Sequence, residues 1–360
     1  MWIYLLLAAG LFMGWSLGTN DAANAFGTAV ATRVVRYRTA VIIIAVMVLL
    51  GAALLGHNNI NKLSSIATNN EVTASAEQVE KALDSGTIAD LRLKSALKAA
   101  IIFICSAVTV FVMSYLKFPV SANQSVTGAL IGWGLCYANY SDPAVRGQNI
   151  SEILEFMSTW LINPLGAAAI SFVLVFLVKK LLEKRLTSMK HYDFMIKIGY
   201  IAAGAFSAFS IGQNSSASVT AFYYDPTGQG ANLIFDLPWI SGARIAALLG
   251  GIAIAVGVLT FSKRVMMTVG SSIAKITQVD GFVVIISSAL TVLLMGKLMG
   301  IPVSTSQSVV GAVIGAGLVS GVKYVNFGVL KNVAIAWVSS PTIAGLLAWL
   351  VAVCTKSYFG

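Results

Sequence analysis

Pro119-Val-Ser-Ala-Asn-Gln-Ser-Val-Thr-Gly-Ala-Leu-Ile-Gly132 recurs as Pro302-Val-Ser-Thr-Ser-Gln-Ser-Val-Val-Gly-Ala-Val-Ile-Gly315, with ten of fourteen positions identical. Each copy sets a proline and a cluster of Ser, Gln and Asn at the mouth of an apolar, glycine-rich stretch. A helix start and polar side chains are thereby carried to membrane depth. Paired, interrupted hydrophobic segments at matching positions of two halves point to the substrate site of a transporter.

The rest of the chain supports a membrane setting. Hydrophobic residues make up 57% of it and charged residues 11%, with a mean hydropathy of +0.83, values that suit a polytopic membrane protein and not a soluble domain. Apolar runs long enough to span the hydrocarbon as helices occur near 2–17 (continuing toward 32 if unbroken), 39–56, 96–116, 153–178, 194–213, 242–261, 281–299 and 331–354. The two repeated motifs begin two further segments, 119–137 and 302–320. The predicted fold class is therefore an all-α polytopic membrane protein with about ten membrane elements. The N-terminal run lacks a basic flank and leads into Gly18-Thr-Asn-Asp21, so it reads as the first membrane helix and not as a cleaved leader.

A net charge of +10 invites a nucleic-acid reading, but the bases fall in short connections with no aromatic-interleaved basic face, which argues against it. Arg33, Arg36, Arg38, Lys179, Lys180, Lys184, Arg185, Lys190, Lys263, Arg264 and Lys275 cluster in three connections that land on one side if the spans alternate. The positive-inside rule makes that side cytoplasmic and puts both termini outside the cell membrane. The polar stretch 57–95, where acids dilute the bases, then also falls outside. Cys105, Cys136 and Cys354 have no paired spacing and read as packing thiols, and the lone His57 and His191 make no metal cluster.

The halves meet in the basic connection 179–193, which divides the chain into a first repeat, 1–178, and a second, 194–360. Besides the Pro-Val-Ser motif, Gly18-Thr-Asn20-Asp21-Ala-Ala-Asn24 answers Gly212-Gln-Asn214-Ser215-Ser-Ala-Ser218, and Trp160-Leu-Ile-Asn-Pro164 answers Trp337-Val-Ser-Ser-Pro341, in the same order. About five crossings per half, an odd number, makes the repeats inverted in topology. The glycines of Gly128–Gly132 and Gly311–Gly315 read as sites of close helix approach.

Asp21 is the only carboxylate well inside an apolar segment, and an intramembrane acid is functional by default. Asn20 and Asn24 flank it with amide oxygens, and Gly18 would let the backbone unwind and expose carbonyls. Hard oxygen donors with one negative charge suit Na⁺ or a proton. In the repeated motif, Pro119 or Pro302 resists continuation of the preceding helix, and Ser121 or Ser304 can cap the next. Two such helix N-termini converging near midplane would form an anion site. Its side chains would be Ser121, Asn123, Gln124, Ser125 and Thr127 against Ser304, Thr305, Ser306, Gln307 and Ser308, all neutral hydrogen-bonding groups that hold an anion and can release it.

Taken together, G-x-N-D-x-A-N-A at Gly18–Ala25 and two P-V-S-x-x-Q-S motifs resemble the inorganic phosphate transporter (PiT) family, over nearly the whole chain. The resemblance implies symport of inorganic phosphate with Na⁺, or with H⁺ in some bacterial members, an inverted-repeat fold with two helical hairpins, and a homodimer in the lipid bilayer. The family commonly carries the G-x-N-D pattern in both halves, whereas here Ser215 stands where the second Asp is expected. Asp21, Asn20 and Asn24, with Asn214, Ser215 and Ser218, then read as two oxygen-rich Na⁺ sites flanking the phosphate, only the first of them charged. Asp21 also suits phosphate, whose O–H groups a carboxylate accepts, over sulfate, which has none; a sulfate or other oxyanion permease on the same fold is the alternative. A channel would need a run of filter carbonyls, and an enzyme would need a nucleophile and base; neither pattern is present.

Overall fold

Backbone buried in hydrocarbon must satisfy its own hydrogen bonds, so long apolar runs become helices. The computed structural model describes residues 2–57, 85–137, 143–182, 189–220, 242–274, 276–299 and 303–359. Among these, regular structure is helical apart from one isolated bridge between Ala274 and Val325. In chain order the helices are α1 (Trp2–Ala31), α2 (Tyr37–Gly51, prolonged by a π turn Ala52–Gly56), α3 (Ser85–Tyr115), α4 (Ala122–Tyr137) and α5 (Pro143–Leu182). The second half holds α6 (Met189–Thr220), α7 (Gly242–Phe261), α8 (Lys263–Ser271), α9 (Gln278–Met299), α10 (Thr305–Ser320), α11 (Phe327–Cys354) and α12 (Lys356–Phe359). The expectations for 57–95, for the linker 179–193 and for Pro302 fall in large part outside the described residues.

Seven of the described helices are long and apolar enough to cross a membrane: α2, α3, α5, α6, α7, α9 and α11. Helix α1 continues from its apolar start through Thr19, Asn20, Asp21 and Asn24, all four of them buried inside the bundle. Helices α4 and α10 have 16 residues each, about 24 Å at 1.5 Å per residue, short of the roughly 30 Å hydrocarbon thickness. They start inside the protein, which covers their polar ends.

The most extensive contacts cross between the halves: α4 packs on α11, and α10 on α5. Glycine makes this approach possible. A Cβ on Gly128 would overlap the Pro341 carbonyl, and one on Gly311 the Pro164 carbonyl; Gly132 meets Gly345 and Gly315 meets Ala168 in the same way. Pro164 and Pro341 lie inside α5 and α11, so each repeated proline faces the first repeated glycine of the other half. The exchange holds elsewhere, with Gly18 against Ile254 and Gly212 against Val48, and with Gly257 against Trp15 and Gly51 against Phe209. Gly128→Ala and Gly311→Ala are each expected to lower stability by about 1–3 kcal/mol through overpacking. Gly134, where an added methyl would find nothing within 4 Å, should tolerate alanine; thermal unfolding in detergent compares the three.

A second buried carboxylate accompanies Asp21. Asp280, at the N-terminal end of α9, is 0% exposed and pairs with Lys179 Nζ at 3.0 Å. It also accepts from the Thr277 backbone N–H at 3.1 Å and from Ser320 Oγ at 3.4 Å. Its position at a segment end is as the sequence suggests. Its burial follows from tertiary packing, because α5 and α10 close over it and bring a base. This ion pair fastens the ends of three helices and lies far along them from the α1 carboxylate.

Candidate functional site

Helix α1 runs unbroken through Gly18–Asn24, so Gly18 does not unwind the backbone as its residue type suggested; it serves the close crossing with α7. On the intact helix, Asp21 and Asn24 are one turn apart and share a face. Asp21 is 4% exposed. Its Oδ2 accepts from Thr305 Oγ1 at 3.0 Å and from Ser215 Oγ at 3.5 Å. Its Oδ1 accepts from Asn24 Nδ2 at 3.2 Å and Ser306 Oγ at 3.4 Å. The Asn24 amide nitrogen also donates to Thr305 Oγ1 at 3.0 Å and Ser306 Oγ at 3.2 Å. Three helices thus meet at one carboxylate: α1, α6 and the N-terminal turn of α10. Its partners are neutral, and each hydroxyl that donates to it keeps lone pairs for a cation.

Both repeated serines cap their helices as expected. Ser304 Oγ accepts from the Gln307 N–H at 3.2 Å, and Ser121 Oγ from the Gln124 N–H at 3.3 Å. The chain leading into each cap is held by the asparagine of the corresponding G-x-N motif. Asn20 Nδ2 donates to Ser114 Oγ at 2.9 Å and to the Phe118 carbonyl at 3.0 Å, while its Oδ1 accepts from the Val120 N–H at 3.1 Å. Asn214 Nδ2 donates to the Val303 carbonyl at 3.2 Å. Asn20 therefore has its amide fully engaged with the first cap and is not turned to the Asp21 carboxylate. Asn123 Nδ2 reaches the same Val303 carbonyl at 3.4 Å, which joins the two helix starts.

Other members of the expected set brace the helices. Ser125 Oγ and Thr127 Oγ1 donate back to the carbonyls of Ser121 and Asn123 at 3.3 and 3.0 Å. Ser308 Oγ donates to Asn163 Oδ1 and to the Ser304 carbonyl, both at 3.0 Å. The Ser218 side chain lies outside the described residues. Two supporting residues escape a reading by residue type. Asn163 Nδ2 donates to the Ser304 carbonyl at 2.7 Å, and Trp337 Nε1 donates to the Pro119 carbonyl at 3.1 Å. Both belong to the repeated W-x-x-x-P segments, and that repetition was the signal available to find them.

Buried polar atoms without partners mark where a ligand belongs. Gln124 is 2% exposed, and neither its Oε1 nor its Nε2 has a protein partner; Gln307 Oε1 and Asn24 Oδ1 are orphaned too. These four atoms come from the first turns of α4 and α10 and from the α1 carboxylate turn. Leaving them unsatisfied costs about 1–3 kcal/mol each, which a bound ion with donors and acceptors of its own would recover. The arrangement can hold a cation among oxygens at Asp21 and an oxyanion beside the capped helix starts. It has no nucleophile and base pair.

Comparison with known proteins agrees with this arrangement. The model of the phosphate transporter family matches residues 17–348. A protein of Pyrococcus horikoshii described as a phosphate permease is 27% identical, over 97% of each chain. One of Thermococcus kodakarensis with the same description is 28% identical, over 96% of each. In three dimensions the chain resembles a solved sodium-dependent phosphate transporter with a TM-score of 0.74 at 23% identity, over 99% of both chains, a likeness of fold. The family consists of transporters and not enzymes. With nearly all of its length matched, the chain is a multi-pass membrane protein that belongs to the phosphate transporter family.

Proposed function

We propose that this chain imports inorganic phosphate by symport with Na⁺, the cation held at Asp21 and the phosphate between the first turns of α4 and α10. The observation that carries the reading is the buried Asp21 carboxylate among neutral hydrogen-bonding groups, the Asn24 amide of α1 and hydroxyls of α6 and α10. Orphaned amide atoms on Gln124 and Gln307 lie in the first turns of α4 and α10, the second of which bonds Asp21 through Thr305 and Ser306. The descriptions of the relatives support phosphate as the substrate. The Na⁺ dependence stated for the structural neighbour supports the cation.

In this reading 1–178 and 194–360 are inverted repeats about the linker 179–193, and the exchanged glycine contacts support that relation. Bonding between Tyr37 and Ser262 at 3.2 Å, with Lys263 5.8 Å from the Tyr37 ring centre, brings two of the basic connections to one face. That face is cytoplasmic in the proposal, and both termini are extracytoplasmic. The working unit is a homodimer in the cell membrane, as the family resemblance implies.

Uptake of labelled phosphate into proteoliposomes, with Na⁺ and pH gradients imposed separately, tests the reading. A Na⁺ gradient should drive accumulation. Accumulation driven by a pH gradient without Na⁺ would make the proton the coupling ion, and equal transport of sulfate would make the chain a general oxyanion permease.

The orphaned glutamines give a sharper expectation. Gln124→Ala and Gln307→Ala should each weaken phosphate binding by about 1–3 kcal/mol. Gln124→Leu should at the same time stabilise the phosphate-free protein by about 1 kcal/mol, because it removes two unsatisfied buried atoms without changing volume greatly. Phosphate titration and thermal unfolding on the same samples would show the opposite signs; a glutamine that changes neither is not at the site.

A further inference from the structure

The duplication allows each ligand around Asp21 to be compared with its counterpart in the other half. The motifs pair Asp21 with Ser215, Asn24 with Ser218, Thr305 with Ala122 and Ser306 with Asn123. The reciprocal contacts of Gly18 with Ile254 and Gly212 with Val48, and of Gly311 with Pro164 and Gly128 with Pro341, bring these counterparts into matching places. Two of the four changes remove what a cation site needs, the formal charge and one oxygen. The carboxylate becomes a hydroxyl, the amide carbonyl of Asn24 becomes a hydroxyl, Thr305 becomes a methyl group, and the Ser306 hydroxyl becomes an amide.

Two of the counterpart side chains, Ser215 and Asn123, are also engaged elsewhere. Ser215 Oγ turns to Asp21 Oδ2 at 3.5 Å, and so joins the first cluster. Asn123 Nδ2 points to the Val303 carbonyl at 3.4 Å. Ala122 is buried, 5% exposed, and offers no oxygen. Around Asp21, by contrast, the two carboxylate oxygens meet the hydroxyls of Thr305, Ser306 and Ser215, and Asn24, whose Nδ2 donates into this cluster, leaves its Oδ1 buried without a donor. Two carboxylate oxygens among three hydroxyls, with an unsatisfied amide oxygen on the neighbouring turn, suit a cation.

Resting on the Na⁺ symport reading above, we infer that this chain binds and carries a single Na⁺ per phosphate. Asp21, Asn24, Thr305, Ser306 and Ser215 form one site that draws on both halves, and the mirror position at Ser215, Ser218, Ala122 and Asn123 holds none. The two flanking sites suggested by residue types alone reduce to one, because the second half lacks the carboxylate and the Thr305 hydroxyl and its Ser215 is turned to Asp21.

Two measurements on the full-length protein test the inference. In proteoliposomes clamped at zero potential, phosphate should accumulate as the first power of the Na⁺ gradient, so a tenfold gradient gives about tenfold accumulation. Accumulation as the square, about hundredfold, requires two coupled ions and overturns the inference. Equilibrium binding of radiolabelled Na⁺ to the detergent-solubilised protein should saturate at one ion per chain and be lost in Asp21→Asn. Two ions per chain, or one ion that survives Asp21→Asn, would overturn it. No Na⁺-driven accumulation in any gradient defeats the symport reading itself, an outcome distinct from a squared dependence.

Discussion

Asp21→Asn should reduce gradient-driven phosphate uptake by about a hundredfold or more while leaving the protein folded. The expected size follows from the shell. A cation at Asp21 exchanges a formal negative charge for a neutral amide, and charge-assisted interactions are each stronger than neutral ones by about 1–2 kcal/mol. Two carboxylate oxygens give about 3 kcal/mol, or two orders of magnitude in affinity. The fold should survive because asparagine has nearly the same volume. The hydroxyls of Thr305, Ser306 and Ser215 can rotate to accept from its NH₂ group as readily as they now donate to the carboxylate. Initial rates of labelled phosphate uptake under an imposed Na⁺ gradient, with circular dichroism on the same preparation, separate transport from folding. Wild-type accumulation by the mutant would remove Asp21 from the coupling site.

Much of this site was legible in the sequence because membrane burial makes polar residues expensive. Asp21, Ser304, Thr305, Ser306 and both glutamines stand out against an apolar background, and the serine caps follow from local backbone chemistry three residues away. Duplication added a second signal, the order of three motifs, which is what located the W-x-x-x-P segments. What could not be read was direction. Asn20, adjacent to Asp21 in sequence, is turned about 100° around the helix by the 3.6-residue period and bonds the chain at Phe118 and Val120. A list of neighbouring oxygen donors takes it for a ligand; only the continuity of α1 shows that Asn24 shares the face of Asp21 and Asn20 does not.

Long-range encounters were equally hidden. Asp280 looks like an ordinary acid at a helix end until Lys179, about a hundred residues earlier in a different helix, is seen 3.0 Å away. Asn163 precedes a helix-interior proline, a place where polar side chains often satisfy freed backbone groups. Its actual partners, Ser304 and Ser308, belong to the other half. Both cases depend on helices crossing between the halves, and the glycines that permit those crossings were visible as a pattern without a stated partner.

Ser215→Asp should produce the second large effect, and through contact with Asp21 instead of through a separate site. Ser215 Oγ lies 3.5 Å from Asp21 Oδ2, so an aspartate there sets two carboxylates against each other in a buried place. Like charges at that separation repel strongly unless a cation or proton lies between them. Apparent affinity for Na⁺ should therefore rise by about tenfold, equivalent to about 1.4 kcal/mol, and the unfolding temperature in detergent should become steeply dependent on Na⁺. Turnover should fall, because a state that binds the ion more tightly releases it more slowly and uniform tightening of the loaded state does not lower the barrier to leaving it. Phosphate uptake against Na⁺ concentration at fixed pH, in wild type and Ser215→Asp, reads both quantities. A lower half-saturating Na⁺ with a lower maximal rate is the expected pair. An unchanged Na⁺ dependence would show that the α6 serine is not part of the cation site, and the site would then rest on α1 and α10 alone.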